Sequence, residues 1–136
     1  MRTYLSTVAL IAVLLASSVM ACHSNPASNL AGTWLFHVQC DDGGLRDPTF
    51  VFKQRGDKLT GTYDGSLGRQ EVTGGVTRST AVFGFHTPRP VRFYEDLRWL
   101  ETITATYTGT LETETTMSGT VEFSNGVKGK WTATRQ

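Results

Sequence analysis

Few residues in this 136-residue sequence combine a reactive type with the spacing that catalysis or metal binding requires. The three histidines, His23, His37 and His86, are separated by no interval typical of metal ligands. The segment DDGGLRD at 41–47 carries three carboxylates, but their order differs from that of a calcium-binding loop and indicates an acidic turn. The sequence also contains no nucleophile elbow, Cys–His pair or phosphate-binding loop. It therefore predicts a protein that is not an enzyme and that holds no metal ion or other cofactor.

Cys22 is the residue with the clearest predicted chemistry. It follows an unbroken apolar run at 8–16, which is too short to span a membrane and is typical of a secretory signal. The residues VMAC at 19–22 resemble the lipobox of bacterial lipoproteins. The resemblance implies a signal peptide over 1–21 and a lipid attached to Cys22. The alternative is secretion after the same cleavage, without a lipid.

The segment 22–29 is predicted to be a polar linker, in which Pro26 disfavours a helix. The lipobox resemblance implies a protein of the bacterial cell envelope that is anchored to a membrane through Cys22. Because His23 rather than an aspartate follows the cysteine, the expected location is the outer membrane, facing the periplasm. Without the lipid, the protein is expected to be secreted.

The charges of the chain are balanced. It has 13 Lys and Arg against 12 Asp and Glu, and removal of residues 1–21 removes only the basic Arg2, which leaves the two counts equal. A nucleic-acid-binding domain carries a basic surface instead. The sequence therefore predicts no nucleic-acid partner.

The second cysteine, Cys40, has two open interpretations. It could pair with Cys22 as a disulfide in an exported protein, but a lipid on Cys22 would leave it as a free thiol. It follows Trp34, Phe36 and Val38 in period-two phase. This phase predicts that Cys40 lies on or near the core face of a strand.

From residue 30 onward the chain alternates apolar and polar residues with a period of two, and turn residues separate the alternating segments. The predicted strands are 32–40, 48–54, 58–64, 70–77, 80–87, 101–111, 115–123 and 128–135. Eight short strands without a long helix predict a sandwich or a closed up-and-down barrel over 30–136. In a barrel, the links at 41–47, 65–69, 88–100 and 124–127 would share one end, called here the mouth. The tight links at 55–57, 78–79 and 112–114 would form the other end, called the floor.

Glycine recurs at the centre of these strands, between two large apolar residues. The five-residue segment LTGTY at 59–63, called here a glycine cell, is followed by similar cells such as YTGTL at 107–111 and MSGTV at 117–121. Residues i, i+2 and i+4 share one face of a strand, so each cell places its glycine on the inward side. The glycines could allow the sheet to bend, as closure requires, or they could also leave an internal cavity.

The first and last strands carry a pair of residues that suggests a family. The sequence Gly32-Thr33-Trp34 together with Arg135 resembles the lipocalin and wider calycin signature, in which a tryptophan packs under an arginine at the barrel floor. This implies an all-β, eight-stranded antiparallel up-and-down barrel, with Trp34 and Arg135 at its floor. Most of the mature chain resembles small exported bacterial barrel domains. It is not a biotin-binding avidin, because Phe36, Cys40 and Gly65 stand where avidin has Asn, Ser and Ser.

Two groups of residues are candidates for function. Inside the barrel, the expected ligand-binding residues are Phe52, Tyr63, Phe85 and Tyr107, since large inward side chains near the mouth could surround a small apolar molecule. In the 88–100 segment, which is predicted as either a short helix or a long hairpin, the expected interaction residues are Arg92, Phe93, Tyr94, Arg98 and Trp99.

These groups support two main hypotheses. In the first, a lipid-anchored envelope barrel binds a small apolar molecule or lipid at its mouth. In the second, a non-enzymatic envelope interaction module, such as an inhibitor or assembly factor, uses the 88–100 loop against a protein. An enzyme inside the barrel is the least favoured alternative.

Overall fold

The computed structural model describes residues 26–92 and 101–136, and every regular element within those ranges is a β-strand. The strands are β1 (Gly32–Cys40), β2 (Leu45–Arg46), β3 (Thr49–Arg55), β4 (Lys58–Gly65), β5 (Gly68–Thr77), β6 (Thr80–His86), β7 (Thr104–Thr113), β8 (Thr116–Phe123) and β9 (Lys128–Arg135). Most bounds lie close to the predicted ones, although the strand predicted from residue 101 begins only at Thr104. Within the described ranges, there is no helix long and apolar enough to cross a membrane.

The strands close into a barrel. Each long strand pairs antiparallel with the next along the chain, and β9 returns to pair with β1, from Trp34 opposite Arg135 to Cys40 opposite Gly129. The predicted eight-stranded antiparallel up-and-down β-barrel is therefore confirmed, and its long connections are at the mouth. The floor has only tight turns, but the mouth link predicted at 65–69 is also tight, because Gly65 pairs directly with Gly68.

The short strand β2 is the first part of the second barrel strand. Val38 lies opposite Arg46 and Leu35 lies opposite Thr49, so β2 and β3 pair with β1 in one continuous register. Between them stands Pro48, which has no N–H to donate to a ladder, although its carbonyl accepts a 2.9 Å hydrogen bond from the Phe36 amide. The proline therefore interrupts the strand without shifting it.

The barrel interior is filled by aromatic rings. Phe36 occupies the centre, with its ring centroid 4.4 Å from that of Phe50 and 4.7 Å from that of Trp131. The rings of Phe83 and Tyr107 stack at 5.4 Å. All five side chains are almost fully buried, and the contacts have the tilted, edge-on or offset geometries that aromatic pairs prefer. The rings therefore form one continuous core.

The mid-strand glycines allow close approach and leave no internal space. A Cβ built on Gly61 would lie 1.9 Å from the carbonyl oxygen of Val51 on β3, and one built on Gly109 would lie 2.4 Å from the Trp131 ring. Neighbouring backbone and rings thus occupy the positions where these side chains would be. Of the two interpretations of the glycine cells, an internal cavity is therefore not found at these positions, and the Trp131 ring fills the space beside Gly109.

Residues 27–31 run across the barrel floor. The Ser28 amide donates to the Arg78 carbonyl at 2.7 Å, and the buried amide of Leu30 donates to the Gln54 side-chain oxygen at 2.7 Å. The Leu30 side chain is completely buried in the core. Ser28 and Asn29, assigned above to the polar linker, are therefore hydrogen-bonded to the barrel.

Candidate functional site

The barrel floor is covered by Arg135, which lies over Trp34. The guanidinium carbon of Arg135 is 4.7 Å from the Trp34 ring centroid, within the range of a cation–π contact. The indole N–H of Trp34 donates to the Leu30 carbonyl at 2.9 Å, and Arg135 donates to the Asn29 carbonyl at 2.5 Å. The two floor residues expected from the sequence thus meet each other and also hold the N-terminal segment, which is a structural role.

The four expected ligand-binding residues are all buried and only partly adjacent. Tyr63 and Phe85 are in contact, with centroids 4.2 Å apart, and Phe85 lies 6.4 Å from Tyr107. Between Phe52 and Tyr107 stand the rings of Phe50 and Phe83, each of which contacts both residues. None of the four is more than 4% exposed. They belong to the packed core, and neighbouring rings occupy the space that a ligand would need.

Arg46, which was not among the residues predicted from the sequence, closes the mouth end of this core. Its guanidinium carbon lies 5.8 Å from the Phe123 ring centroid, and its Nη1 donates to the Ser66 hydroxyl at 2.6 Å. Arg46 precedes Phe50 by four residues in the same period-two phase, so inward orientation could have been predicted had the strand been extended past Pro48. Each end of the aromatic core is thus covered by an arginine.

Three protonated groups lie beneath Arg46. Burial raises the pKa of Tyr107 far above its usual range, with Tyr63 and Cys40 adding to the rise and the Arg46 cation opposing it. Burial also raises the pKa of Tyr63, against hydrogen bonds from the β4–β5 turn and the charge of Arg46. The pKa of the Cys40 thiol is raised by burial as well, and a hydrogen bond with Arg46 opposes this rise. At neutral pH all three groups therefore keep their protons.

An open groove lies beside the mouth, where β9 passes between β1 and β8. Its volume is about 470 Å³. The lining residues are Gln39, Cys40, Asp41, Thr120, Val121, Glu122, Lys128, Gly129 and Lys130. The groove passes over the Gly129 backbone, and the buried residues Val121 and Cys40 are among those that line it. It combines an apolar base with charged side chains along its margins.

The loop expected to make protein contacts begins and ends at a closed neck. Val91 and Glu101 exchange two backbone hydrogen bonds, of 2.8 and 3.1 Å. Below them, the amide of the buried Thr87 donates to the Ile103 carbonyl at 2.8 Å, and the Thr87 hydroxyl accepts from the Ile103 amide at 2.8 Å. Arg92 is exposed just beyond the neck. The remaining expected interaction residues, Phe93, Tyr94, Arg98 and Trp99, lie outside the described residues, as does Cys22.

The described residues group no three His, Cys, Asp or Glu side chains in a way that could hold a metal ion. His37 instead forms an exposed hydrogen bond with Asp47 at 2.6 Å, and His86 forms a hydrogen bond with Thr104 at 2.9 Å. Both histidines are on the outer surface of the barrel. Cys40 is a buried free cysteine.

Neither a protein-family model nor a curated protein sequence matches this chain. Solved structures do match it. A redesigned β-barrel superposes with a TM-score of 0.56 at 19% identity, covering 79% of this chain and 91% of its own. The protein EF1p2_mFAP2b, solved bound to DFHBI, gives 0.54 at 18%, covering 79% and 94%. A de novo designed fluorescence-activating β-barrel gives 0.52 at 18%, covering 78% and 93%. At these identities the likeness shows a shared fold, the eight-stranded antiparallel β-barrel.

Proposed function

We propose that this protein is an exported, non-enzymatic barrel, anchored to a membrane through a lipid on Cys22, that binds a small apolar molecule at its mouth. The proposed location is the bacterial cell envelope, at the outer membrane facing the periplasm. The binding site is the groove beside Gly129 rather than the barrel interior, because aromatic rings fill the interior.

The observation that carries the binding proposal is the groove itself. Its volume of about 470 Å³ lies within the range of small-molecule sites, roughly 300–1,000 Å³. Its base is apolar at Val121 and Gly129, and a few polar side chains at its margins could orient a ligand. A solved barrel of the same fold holds the small molecule DFHBI, which supports the idea that this fold admits such ligands.

Binding is a better proposal than catalysis because the buried ionisable groups are poorly suited to acid–base chemistry near neutral pH. The pKa values of Tyr63, Tyr107 and Cys40 are all raised, so none can act as a base there. An efficient general base needs a pKa near the working pH.

Titration with the uncharged fluorophore N-phenyl-1-naphthylamine tests the binding site. Thr120 is exposed and lines the groove, so Thr120→Trp should fill it and weaken probe binding about tenfold or more, through lost apolar contact. The matched control is Thr80→Trp, which makes the same exchange on an exposed residue near the floor and should leave binding unchanged. An absence of binding by the unchanged protein, or equal binding by both variants, would contradict this site.

The anchor is tested separately by cell fractionation. The protein should sediment with membranes and carry acyl groups detectable by mass spectrometry. Several acyl chains hold a protein firmly at a membrane, with about 0.8 kcal/mol from each buried CH₂ group. Cys22→Ser should give a soluble or unprocessed form. If that variant fractionates and migrates as the unchanged protein does, the anchor proposal is wrong.

The second candidate function is a protein-interaction module that acts through the 88–100 loop. The closed neck at Val91 and Glu101 favours it, because two backbone hydrogen bonds hold the ends of the loop together at the mouth. Native mass spectrometry of protein purified from its own host separates the two candidates. A co-purifying small molecule supports the binding barrel, whereas a stoichiometric protein partner supports the module.

A further inference from the structure

The chain enters the barrel at the floor. This position determines which end of the barrel an N-terminal anchor would keep close to a membrane. Ala27 packs against the core, and the Ser28 amide is bonded to the Arg78 carbonyl in the β5–β6 turn. The carbonyl of Ser28 in turn accepts a hydrogen bond from the Gln54 side chain at 2.8 Å. Pro26, the first described residue, is exposed. The described chain therefore begins beside the β5–β6 turn, four residue steps after Cys22.

Basic side chains lie in the floor turns next to this point. Arg55 and Lys58 flank the β3–β4 turn, and Arg78 lies in the β5–β6 turn; all three are exposed and are called here the basic floor patch. The two turns are neighbours, because the Val76 amide donates to the Asp57 carbonyl at 2.9 Å. The Asp57 side chain offsets one of these charges.

The remaining floor turn is acidic. Glu112 and Glu114 are exposed on either side of Thr113, at the connection between β7 and β8. The Leu111 amide bonds to the Ser79 carbonyl, so this turn also adjoins the β5–β6 turn. The floor thus has a basic side, where the chain leaves, and an acidic side. A tilt toward the basic side would bring that side to an anionic surface first.

The length of the tether excludes the reverse orientation. The four residue steps from Cys22 to Pro26 span at most about 14 Å when fully extended. A strand of eight residues is about 27 Å long, so even with a barrel tilt of about 40° the mouth stands roughly 20 Å above the floor. The tether is therefore too short to run the height of the barrel and place the mouth on the membrane.

We propose that the basic floor patch docks on the anionic headgroups of a lipid surface, so that the mouth and its groove face away from the membrane. This inference rests on the lipid anchor of the proposed function. Basic groups are attracted to anionic lipids within a Debye length of about 10 Å, a distance comparable to the reach of the tether. The groove would then remain open to solutes in the aqueous compartment.

The four lysines of the chain allow the orientation to be tested on the unchanged protein. Lys53 and Lys58 lie on the floor half, whereas Lys128 and Lys130 lie on the mouth half, and all four are exposed. The lipidated protein is reconstituted in vesicles of an equal mixture of phosphatidylcholine and phosphatidylglycerol. Its lysines are then acetylated with a membrane-impermeant reagent and quantified by mass spectrometry, with detergent-solubilised protein as the reference. We expect acetylation of Lys58 to slow by roughly threefold or more, while that of Lys128 stays nearly unchanged.

Equal slowing at Lys58 and Lys128, or greater slowing at Lys128, would overturn the proposed orientation. The double variant Arg55→Glu/Arg78→Glu should lose most of the protection at Lys58, and full protection in that variant would overturn docking through the basic floor patch. Mass spectrometry of Cys22 shows whether the residue carries a lipid, so the anchor proposal is tested independently of the orientation. If that cysteine carries no lipid, the same measurement is made on residues 22–136 after a maleimide lipid is coupled to its thiol, so that the orientation is tested either way.

Discussion

At the scale of single residues, the contact between Gly109 and Trp131 decides how the mid-strand glycines are used. The glycine faces inward on β7, and the indole of Trp131 fills the position that a side chain at residue 109 would take. The period-two pattern was sufficient to predict that Gly109 points inward. It could not show that the ring of Trp131, two strands away in the sheet, would occupy the space, because that depends on packing between distant parts of the chain.

Gly109→Ala should therefore destabilise the protein strongly, although it adds only one methyl group. The new Cβ would lie 2.4 Å from the Trp131 ring and 2.5 Å from the Ser118 carbonyl oxygen, so the core must shift. We expect a loss of about 1–3 kcal/mol in the free energy of unfolding, measured by urea denaturation. Gly75→Ala is the matched control, since its new Cβ would approach nothing closer than 3.5 Å. Equal effects of the two substitutions would contradict the filled interior.

The floor pair gives the second prediction at this scale. Trp34→Ala should destabilise the protein by about 3–5 kcal/mol, because it empties a completely buried position and removes the hydrogen bond to Leu30. Arg135→Ala should cost less, since it removes one cation–π contact and one hydrogen bond from a partly exposed side chain. The two losses should not add in a double-mutant cycle, because the groups touch. Additive losses would show that the stacking contributes no stability.

At the scale of elements, local pattern and long-range contact explain different parts of the barrel. Alternation between turn residues was sufficient to predict the long strands to within a few residues. It failed at β2, where Asp47 and Pro48 interrupt the alternation and only pairing with β1 shows that the strand continues. It also failed to indicate how residues 27–29, the end of the predicted polar linker, are held. That segment is ordered by Gln54 and Arg78, which are distant in the sequence.

Gln54 is predicted to hold the N-terminal segment to the floor. Its side chain accepts from the Leu30 amide and donates to the carbonyls of Ser28 and Gly56. Gln54→Ala should leave the buried Leu30 amide without its partner, at a cost of about 1–3 kcal/mol, and should speed hydrogen exchange at that amide. Gln70→Ala removes a comparable half-buried amide near the mouth and should not affect exchange at Leu30. Unchanged exchange at Leu30 in Gln54→Ala would contradict this role.

At the scale of the whole molecule, closure places polar groups at both ends of an aromatic core that is otherwise apolar. Arg135 covers the floor and Arg46 covers the mouth, while the hydroxyls of Tyr63 and Tyr107 and the thiol of Cys40 lie inside. These inner groups are stable in the core only while they are neutral, because a buried anion is strongly disfavoured. The stability of the barrel should therefore depend on pH at the alkaline end.

The direction of that dependence follows from the raised pKa values. In the unfolded chain, Tyr107 releases its proton near the usual tyrosine pKa of about 10, whereas burial raises its pKa in the folded state far above that value. Above about pH 10 Tyr107 therefore binds fewer protons in the unfolded state than in the folded state, so its contribution to stability is fully present below this pH and falls as the pH rises. The contribution of Cys40 begins to fall at a lower pH, because the ordinary pKa of its thiol is 9.0. The slope is about 1.4 kcal/mol per pH unit for each such group, with Tyr63 and Cys40 contributing in the same direction.

Urea denaturation between about pH 8 and 11 measures this dependence. The free energy of unfolding should be level at the lower end and fall steeply toward the upper end. Tyr107→Phe removes one titrating group and keeps the ring stack with Phe83. It should therefore reduce the slope of the free energy of unfolding against pH, above about pH 10, by about 1.4 kcal/mol per pH unit. A tyrosinate absorbance titration of the folded protein should also show no ionisation of Tyr107 before unfolding. If Tyr107 ionises at its usual pKa in the folded barrel, or if the variant keeps the full slope, this hydroxyl is not buried in the closed core.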